Sequence, residues 1–196
     1  FIIQGSSLLI IFLLVFFFIS LYEWNKMSKN LLLKIVGLIF LAYSFYTAYQ
    51  IRTASNVQYY FIFFVIGICV ATDIGGFLFG KIFKGPKLTK ISPNKTYTGM
   101  IGGYILAIIF ASVYIKVFQI NIETTSINNL LLLAIILSTI SQIGDLTISL
   151  FKRISNLKDT GKIIPGHGGI LDRIDGMIFA FPVAYLVKSF KILEIF

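Results

Sequence analysis

The sequence predicts an all-α, polytopic integral membrane protein of about six transmembrane helices, with two long polar loops on the cytoplasmic side. Three observations predict it. Of 196 residues, 57% are hydrophobic and only 13% are charged, with a mean hydropathy of +0.90. Soluble domains carry roughly 25% charged residues, so this chain cannot coat a water-facing globule. Apolar runs near the length of about 20 residues that crosses the hydrocarbon recur along the chain. The basic residues, finally, divide unequally between alternate connections.

The first run, residues 5–21, is nearly unbroken Leu, Ile, Val and Phe, closed by Tyr22 and Trp24 where an aromatic belt sits. It lacks the basic leader and small-residue cleavage site of a secretory signal, so it reads as a span. The chain begins at Phe1 rather than Met, which leaves an upstream segment open. Further spans are expected at 31–49, 57–79, 99–117, 129–148 and 176–189. The last is short and holds Pro182, which a membrane helix tolerates when a neighbouring helix satisfies the freed carbonyl. With no internal repeat, residues 1–196 read as one membrane domain.

Six spans put the connections at 23–30, 80–98 and 149–175 on one side, with those at 50–56 and 118–128 and both termini on the other. With Lys34 assigned to the first side and Lys116 to the second, thirteen of the seventeen Lys and Arg residues fall on the first side, which the positive-inside rule makes cytoplasmic. The formal net charge of +9 therefore follows topology and meets anionic lipid or phosphate; no nucleic-acid partner is expected. The single cysteine, Cys69, excludes an intrachain disulfide and cysteine-rich metal frameworks.

The acids carry the chemistry. Asp73 and Asp145 are each embedded in apolar sequence. A carboxylate at a helix centre costs about 2.5 to 3.5 kcal/mol, so the pair requires compensating cations, a wet cavity or both. Structural ion pairs at helix ends are the plainer alternative. Asp172 and Asp175, three apart at the start of the last span, share one helix face and can address one ligand. Repulsion between neighbouring carboxylates is relieved by a divalent cation, and oxygen-only donors favour Mg²⁺ over zinc.

Ahead of them the turn around His167, Gly168 and Gly169 is glycine-rich and leads into a helix start, an arrangement that favours phosphate. Lys152, Arg153, Lys158, Lys162 and Arg173 flank it. His167 is the only histidine, with a hydrogen-bonding role as open as a proton-transfer one. The other loop, residues 80–98, holds five lysines and no acid; Ser92, Lys95 and Thr96 offer hydroxyls and an ammonium to phosphate. It is not a P-loop, since its glycine–lysine spacing is absent.

Ser149, Lys152, Arg153, Lys158, Asp159, Gly161, Pro165, His167, Gly168, Gly169, Asp172, Arg173 and Asp175 stand in an order and spacing that closely resembles the signature of the phosphatidate cytidylyltransferases, also called CDP-diacylglycerol synthases. Every fixed position of that pattern is in place. Asp73 with Gly75, Gly76 and Gly80, then Ser92, Lys95 and Thr96, and the glycines from 99 to 103, resemble the family's second characteristic stretch. With Asp145, the resemblance covers about residues 70–180. Family members often carry an acid where this chain has Thr98, and they are commonly longer at the N-terminus.

The resemblance implies an integral membrane enzyme that joins CTP and phosphatidic acid to give CDP-diacylglycerol and pyrophosphate, with Mg²⁺ and a monovalent cation such as K⁺ as cofactors. It assigns Asp145, Asp172 and Asp175 as metal carboxylates, with Lys152 and Arg153 catalytic. Ser92, Lys95, Thr96, Lys158, Asp159, His167, Gly168, Gly169, Arg173 and Asp73 become substrate-binding residues. Membrane lipids are further partners and a homodimer an option; a bacterial inner membrane is the expected site. The rival readings are a transporter of a phosphorylated anion and a related lipid-alcohol kinase or transferase. Transporters often show internal repeats and broken midplane helices, whereas here the polar residues gather in two loops on one face.

Overall fold

The computed structural model describes residues 6–53, 59–89, 92, 95–118, 127–163, 168–190 and 192–193. Six helices follow in order: α1 Ser6–Met27, α2 Leu31–Thr53, α3 Tyr59–Phe83, α4 Tyr97–Val117, α5 Ile127–Ile154 and α6 Leu171–Ser189. Among the described residues there is no strand, only an antiparallel bridge between Lys87 and Thr96. Five of the helices, α1 to α5, are long and apolar enough to cross a membrane. The shorter α6 carries Asp172, Asp175 and Pro182 and does not reach that measure.

Two helices run further than the apolar pattern suggests. Helix α3 continues to Phe83 and α5 to Ile154, so Lys81, Lys152 and Arg153 lie in final helical turns instead of loops. Polar residues there read locally as connection, yet basic side chains at a helix C-terminus complement its negative dipole end and extend it. The two polar connections are correspondingly shorter than 80–98 and 149–175.

The core has two parts. Residues of α3, α4, α5 and α6, among them Phe64, Ile68, Ala107, Leu133 and Ala184, form one buried cluster. Trp24, Met27, Leu41, Ile148, Leu171 and Ile178 join α1, α2, α5 and α6 in the other. Outward faces are apolar too: Phe18, Leu31, Ile39, Ile101 and Val113 are all exposed, the inverse of a water-soluble surface.

Helices α3 and α4 approach most closely because glycines face one another. A Cβ at Gly75 would stand 2.3 Å from the Gly102 carbonyl oxygen, and one at Gly99 would stand 2.6 Å from that of Gly76. Small residues at such crossings let backbones meet where no water-driven force assists packing. Pro182, which lacks an amide hydrogen, leaves the Ile178 carbonyl without its helical donor. The Ser44 hydroxyl of α2 donates to that oxygen, so the neighbouring-helix compensation expected for this proline is present.

Candidate active site at the polar end of the helices

The ends of α3 and α5 and the starts of α4 and α6 enclose a cavity of about 360 Å³. Asp73 of α3, Asp145 and Lys152 of α5, and Asp172, Arg173 and Asp175 of α6 line it, together with Lys95 and Thr96 just before α4. Residues from three separate stretches of sequence thus meet around one space. Four carboxylates face three cations there. The remaining lining mixes the polar Thr72 and Gln142 with the apolar Phe77, Leu88, Met100 and Leu146.

Lys95 is delivered by a fold-back of its loop. Leu88 N donates to Lys95 O at 2.8 Å and Tyr97 N to Pro86 O at 3.0 Å, which returns the chain to α4. Thr96 then caps α4, its hydroxyl accepting from Gly99 N at 3.1 Å, so this side chain works on its own helix while facing the cavity. Lys95 Nζ pairs with Asp145 Oδ2 across to α5, and Ser149 Oγ lies 3.3 Å from the other Asp145 oxygen. Ser92 is half-buried, accepts Lys95 N through its carbonyl, and does not line the cavity.

Among the described residues, Asp172 is the most heavily bonded acid. Lys152 Nζ reaches its Oδ1 at 2.7 Å, and its Oδ2 accepts from Thr160 N at 2.9 Å and Gly169 N at 3.0 Å and lies 3.0 Å from Thr160 Oγ1. It stands in the first turn of α6, ahead of the apolar stretch that begins at Gly176. Burial pushes its carboxyl up, but the Lys152 ammonium and the Gly169 and Thr160 amides outweigh burial and hold it below the ordinary carboxylate value. Gly168, with φ +86, makes the turn that allows this, and a Cβ there would lie 2.9 Å from Asp172 Oδ2.

At the described end of the glycine-rich turn, backbone amides meet carboxylates. Gly169 N is held by Asp172, while Ile170 N and Leu171 N donate to Glu23 of α1 at 3.1 and 2.8 Å. These amides at the start of α6 already have carboxylate acceptors, and the cations that line the cavity are Lys95, Lys152 and Arg173. Glu23 is fully buried and sequence reasoning assigned it no role. The signal was available: it is the only acid before Asp73, and it sits within apolar and aromatic sequence.

The i, i+3 spacing does bring Asp172 and Asp175 to one cavity. Asp175 is 7% exposed, and among the described residues a single hydrogen bond reaches it, from Gly176 N. Arg153, Lys158 and Asp159 are exposed and stand outside the cavity wall; Arg153 Nη1 lies 3.5 Å from Leu157 O. His167 lies outside the described residues. Among the described residues no three His, Cys, Asp or Glu side chains form a ready-made metal cage.

A sequence model described as the cytidylyltransferase family matches residues 1–190. The chain is 37% identical over 152 residues to a phosphatidate cytidylyltransferase of Bacillus subtilis, covering 77% of this chain and 55% of that protein. It is 36% identical over 177 residues to one of Rickettsia typhi, covering 87% and 76%, and 43% identical over 127 residues to one of Staphylococcus aureus, covering 63% and 47%. The chain thus spans about half the length of the Bacillus and Staphylococcus relatives. A match over nearly the whole chain establishes that the chain belongs to the cytidylyltransferase family.

Proposed function

We propose that this chain transfers a cytidylyl group from CTP to phosphatidate, giving CDP-diacylglycerol and pyrophosphate. The observation that carries this reading is the cavity itself: charged residues from three remote stretches of a very apolar chain line one space at the end of the helices. The relatives' activity supplies the reaction, and the wall chemistry supports it. A phosphate oxygen of phosphatidate attacks the α-phosphorus of CTP, the bond to the bridging oxygen of the β-phosphate breaks, and pyrophosphate leaves with that electron pair. The nucleophile is already an anion near neutral pH, so no base is required. What the protein must supply is alignment and charge neutralisation.

Lys95, Lys152 and Arg173 are the groups placed to neutralise phosphate, and the Lys95–Asp145 and Lys152–Asp172 pairs hold two of them over the cavity. The rearrangement that substrate demands is an exchange of partners. An ammonium that now meets a carboxylate turns to a phosphate oxygen. Phe77, Met100 and Leu146 give part of the wall an apolar lip, suited to a lipid whose acyl chains stay in the bilayer.

The donors fit Mg²⁺. They are carboxylate oxygens, and Mg²⁺ typically takes one or two carboxylates with water and substrate phosphate completing its shell. Asp145 and Asp175 would hold it, with Asp172 contributing from the first turn of α6. Bound there, Mg²⁺ supplies Lewis acidity toward the α-phosphate and neutralises the departing pyrophosphate. A monovalent cation such as K⁺ belongs to the same proposal.

We place residues 176–189 of α6 as a sixth span and the cavity on the cytoplasmic face of a bacterial inner membrane, where CTP is available. The thirteen-to-four division of basic residues supports that orientation. The test is pyrophosphate release from CTP by the purified protein in mixed micelles, with phosphatidate and Mg²⁺ added and withheld. Release that depends on all three supports the reading. Turnover of ATP with a lipid alcohol, or uptake of a phosphorylated anion into vesicles without turnover, would overturn it.

A further inference from the structure

The start of α6 carries two of the signature acids, yet its N-cap residue, Ile170, makes no capping hydrogen bond with its side chain, and Asp172 reaches back only to Gly169 N, which leaves the Ile170 and Leu171 amides to another acceptor. The cap comes from α1. Glu23, fully buried, accepts Ile170 N on Oε1 and Leu171 N on Oε2 from 147 and 148 residues away. Its Oε2 also lies 2.9 Å from Thr160 Oγ1, and the same hydroxyl lies 3.0 Å from Asp172 Oδ2. Thr160 is itself buried. A Cβ at Gly169 would stand 2.2 Å from Thr160 Oγ1 and 2.4 Å from Glu23 Oε2, so the loop closes on this carboxylate with no room for a larger residue.

We propose that Glu23 is a positioning residue for the reaction, setting Asp172 and the first turn of α6 against the cavity through the Thr160 hydroxyl. The inference rests on the cytidylyl-transfer reading for its kinetic consequence. A buried carboxylate is costly unless donors surround it, and among the described residues the donors that reach Glu23 belong to the segment that carries the site. Had α6 needed only a cap, a Ser, Thr or Asp at position 170 would have supplied one locally. A carboxylate from another helix instead fixes where α6 begins relative to α1, and the Thr160 hydroxyl passes that placement to Asp172.

The test compares T160V with T160S, and E23Q with wild type. Valine keeps the shape of threonine and removes the hydroxyl; serine keeps the hydroxyl and loses packing. If the hydroxyl positions Asp172, T160S retains kcat near wild type while T160V loses about 10- to 100-fold, as does E23Q, with a smaller change in KM for CTP. The E23Q/T160V double variant falls no further than the worse single one. A merely structural role reverses the order, valine being the better tolerated, and that result would overturn the proposal, as would wild-type kcat in a folded E23Q. S155A provides the control, because it breaks the Ser155 Oγ contact with Met27 O, another tie to α1, without touching α6. Its kcat should match wild type.

Amide hydrogen exchange in detergent separates this inference from the reaction on which it rests. Residues 169–173 should exchange at least about tenfold faster in E23Q than in wild type, whatever the protein's activity. Unchanged exchange would overturn the proposal even in an active enzyme. Failure of wild type to use CTP, with accelerated exchange in E23Q, would instead sink the reaction and leave Glu23 as the residue that places α6.

Discussion

Lys95 and Asp145 meet across the cavity, the lysine from the connection that leads into α4 and the aspartate from the middle of α5's polar half. Neither residue's neighbours in sequence bring them together. The contact joins the lysine-rich loop to the acidic wall, and it gives Asp145 a cation in a place where an unpaired carboxylate would be costly.

Asp145→Asn keeps the side chain's size and removes its charge. It is expected to lower cytidylyl transfer by about 100- to 1,000-fold, the scale of losing one preorganised electrostatic group in a site. The helices should remain intact, as read by circular dichroism in detergent. Lys95→Met should instead raise the KM for CTP by roughly tenfold or more, because a charge-assisted hydrogen bond to phosphate is lost. Steady-state kinetics on both variants checks the pair; full activity in Asp145→Asn rejects its assignment to the catalytic centre.

The Gly75 crossing adjoins the cavity, since Asp73 and Gly76 of α3, Gly99 of α4 and its N-cap Thr96 all line it. Gly75→Ala would push a methyl group against the Gly102 carbonyl oxygen at 2.3 Å, and backbone cannot turn aside as a flexible side chain can. A destabilisation of about 1 to 3 kcal/mol is expected from overpacking of this kind. Gly76→Ala meets nothing nearer than 3.9 Å and should unfold like wild type. Unfolding curves in a single detergent compare the two.

Much of the site was legible in the sequence, for a physical reason. Asp73, Asp145, Asp172 and Asp175 are few and lie in or beside apolar runs, where only a bound cation or a shared cavity makes a carboxylate tolerable. Lys95, Lys152 and Arg173 could be paired with them by sign. Helix ends were less legible: residues 149–154 read as loop because polarity alone does not distinguish a connection from a helix that overhangs its core. The fate of the α6 amides was not legible at all. A glycine-rich turn before a helix looks the same in sequence whether a phosphate or a remote glutamate accepts its hydrogen bonds, and only the tertiary fold places Glu23 there.

Ser44 and Pro182 form a compensated pair. Removing the hydroxyl in Ser44→Ala leaves the buried Ile178 carbonyl without a donor, which should cost about 1 to 3 kcal/mol. Pro182→Ala restores an amide hydrogen four residues after Ile178, so it should recover stability in the Ser44→Ala background. A double-mutant cycle on unfolding free energies reads the coupling. Additive effects would show that the Ser44 contact does not serve the proline.

Charge in the cavity makes the sharpest demand on a cofactor. Four carboxylates against three cations leave no surplus positive charge for the two anionic substrates proposed above. Chelation should therefore abolish turnover, and added Mg²⁺ should restore it. Asp175→Asn preserves an oxygen that can accept Gly176 N and removes a carboxylate that a cation can bind. Its half-maximal Mg²⁺ concentration should rise by about tenfold or more, an effect separable from CTP affinity by titrating each at saturation of the other. A thermal shift without substrate supplies the independent reading: wild type should be stabilised by Mg²⁺ and Asp175→Asn much less so. Wild-type turnover that persists in excess chelator would refute the assignment of Mg²⁺ to these carboxylates.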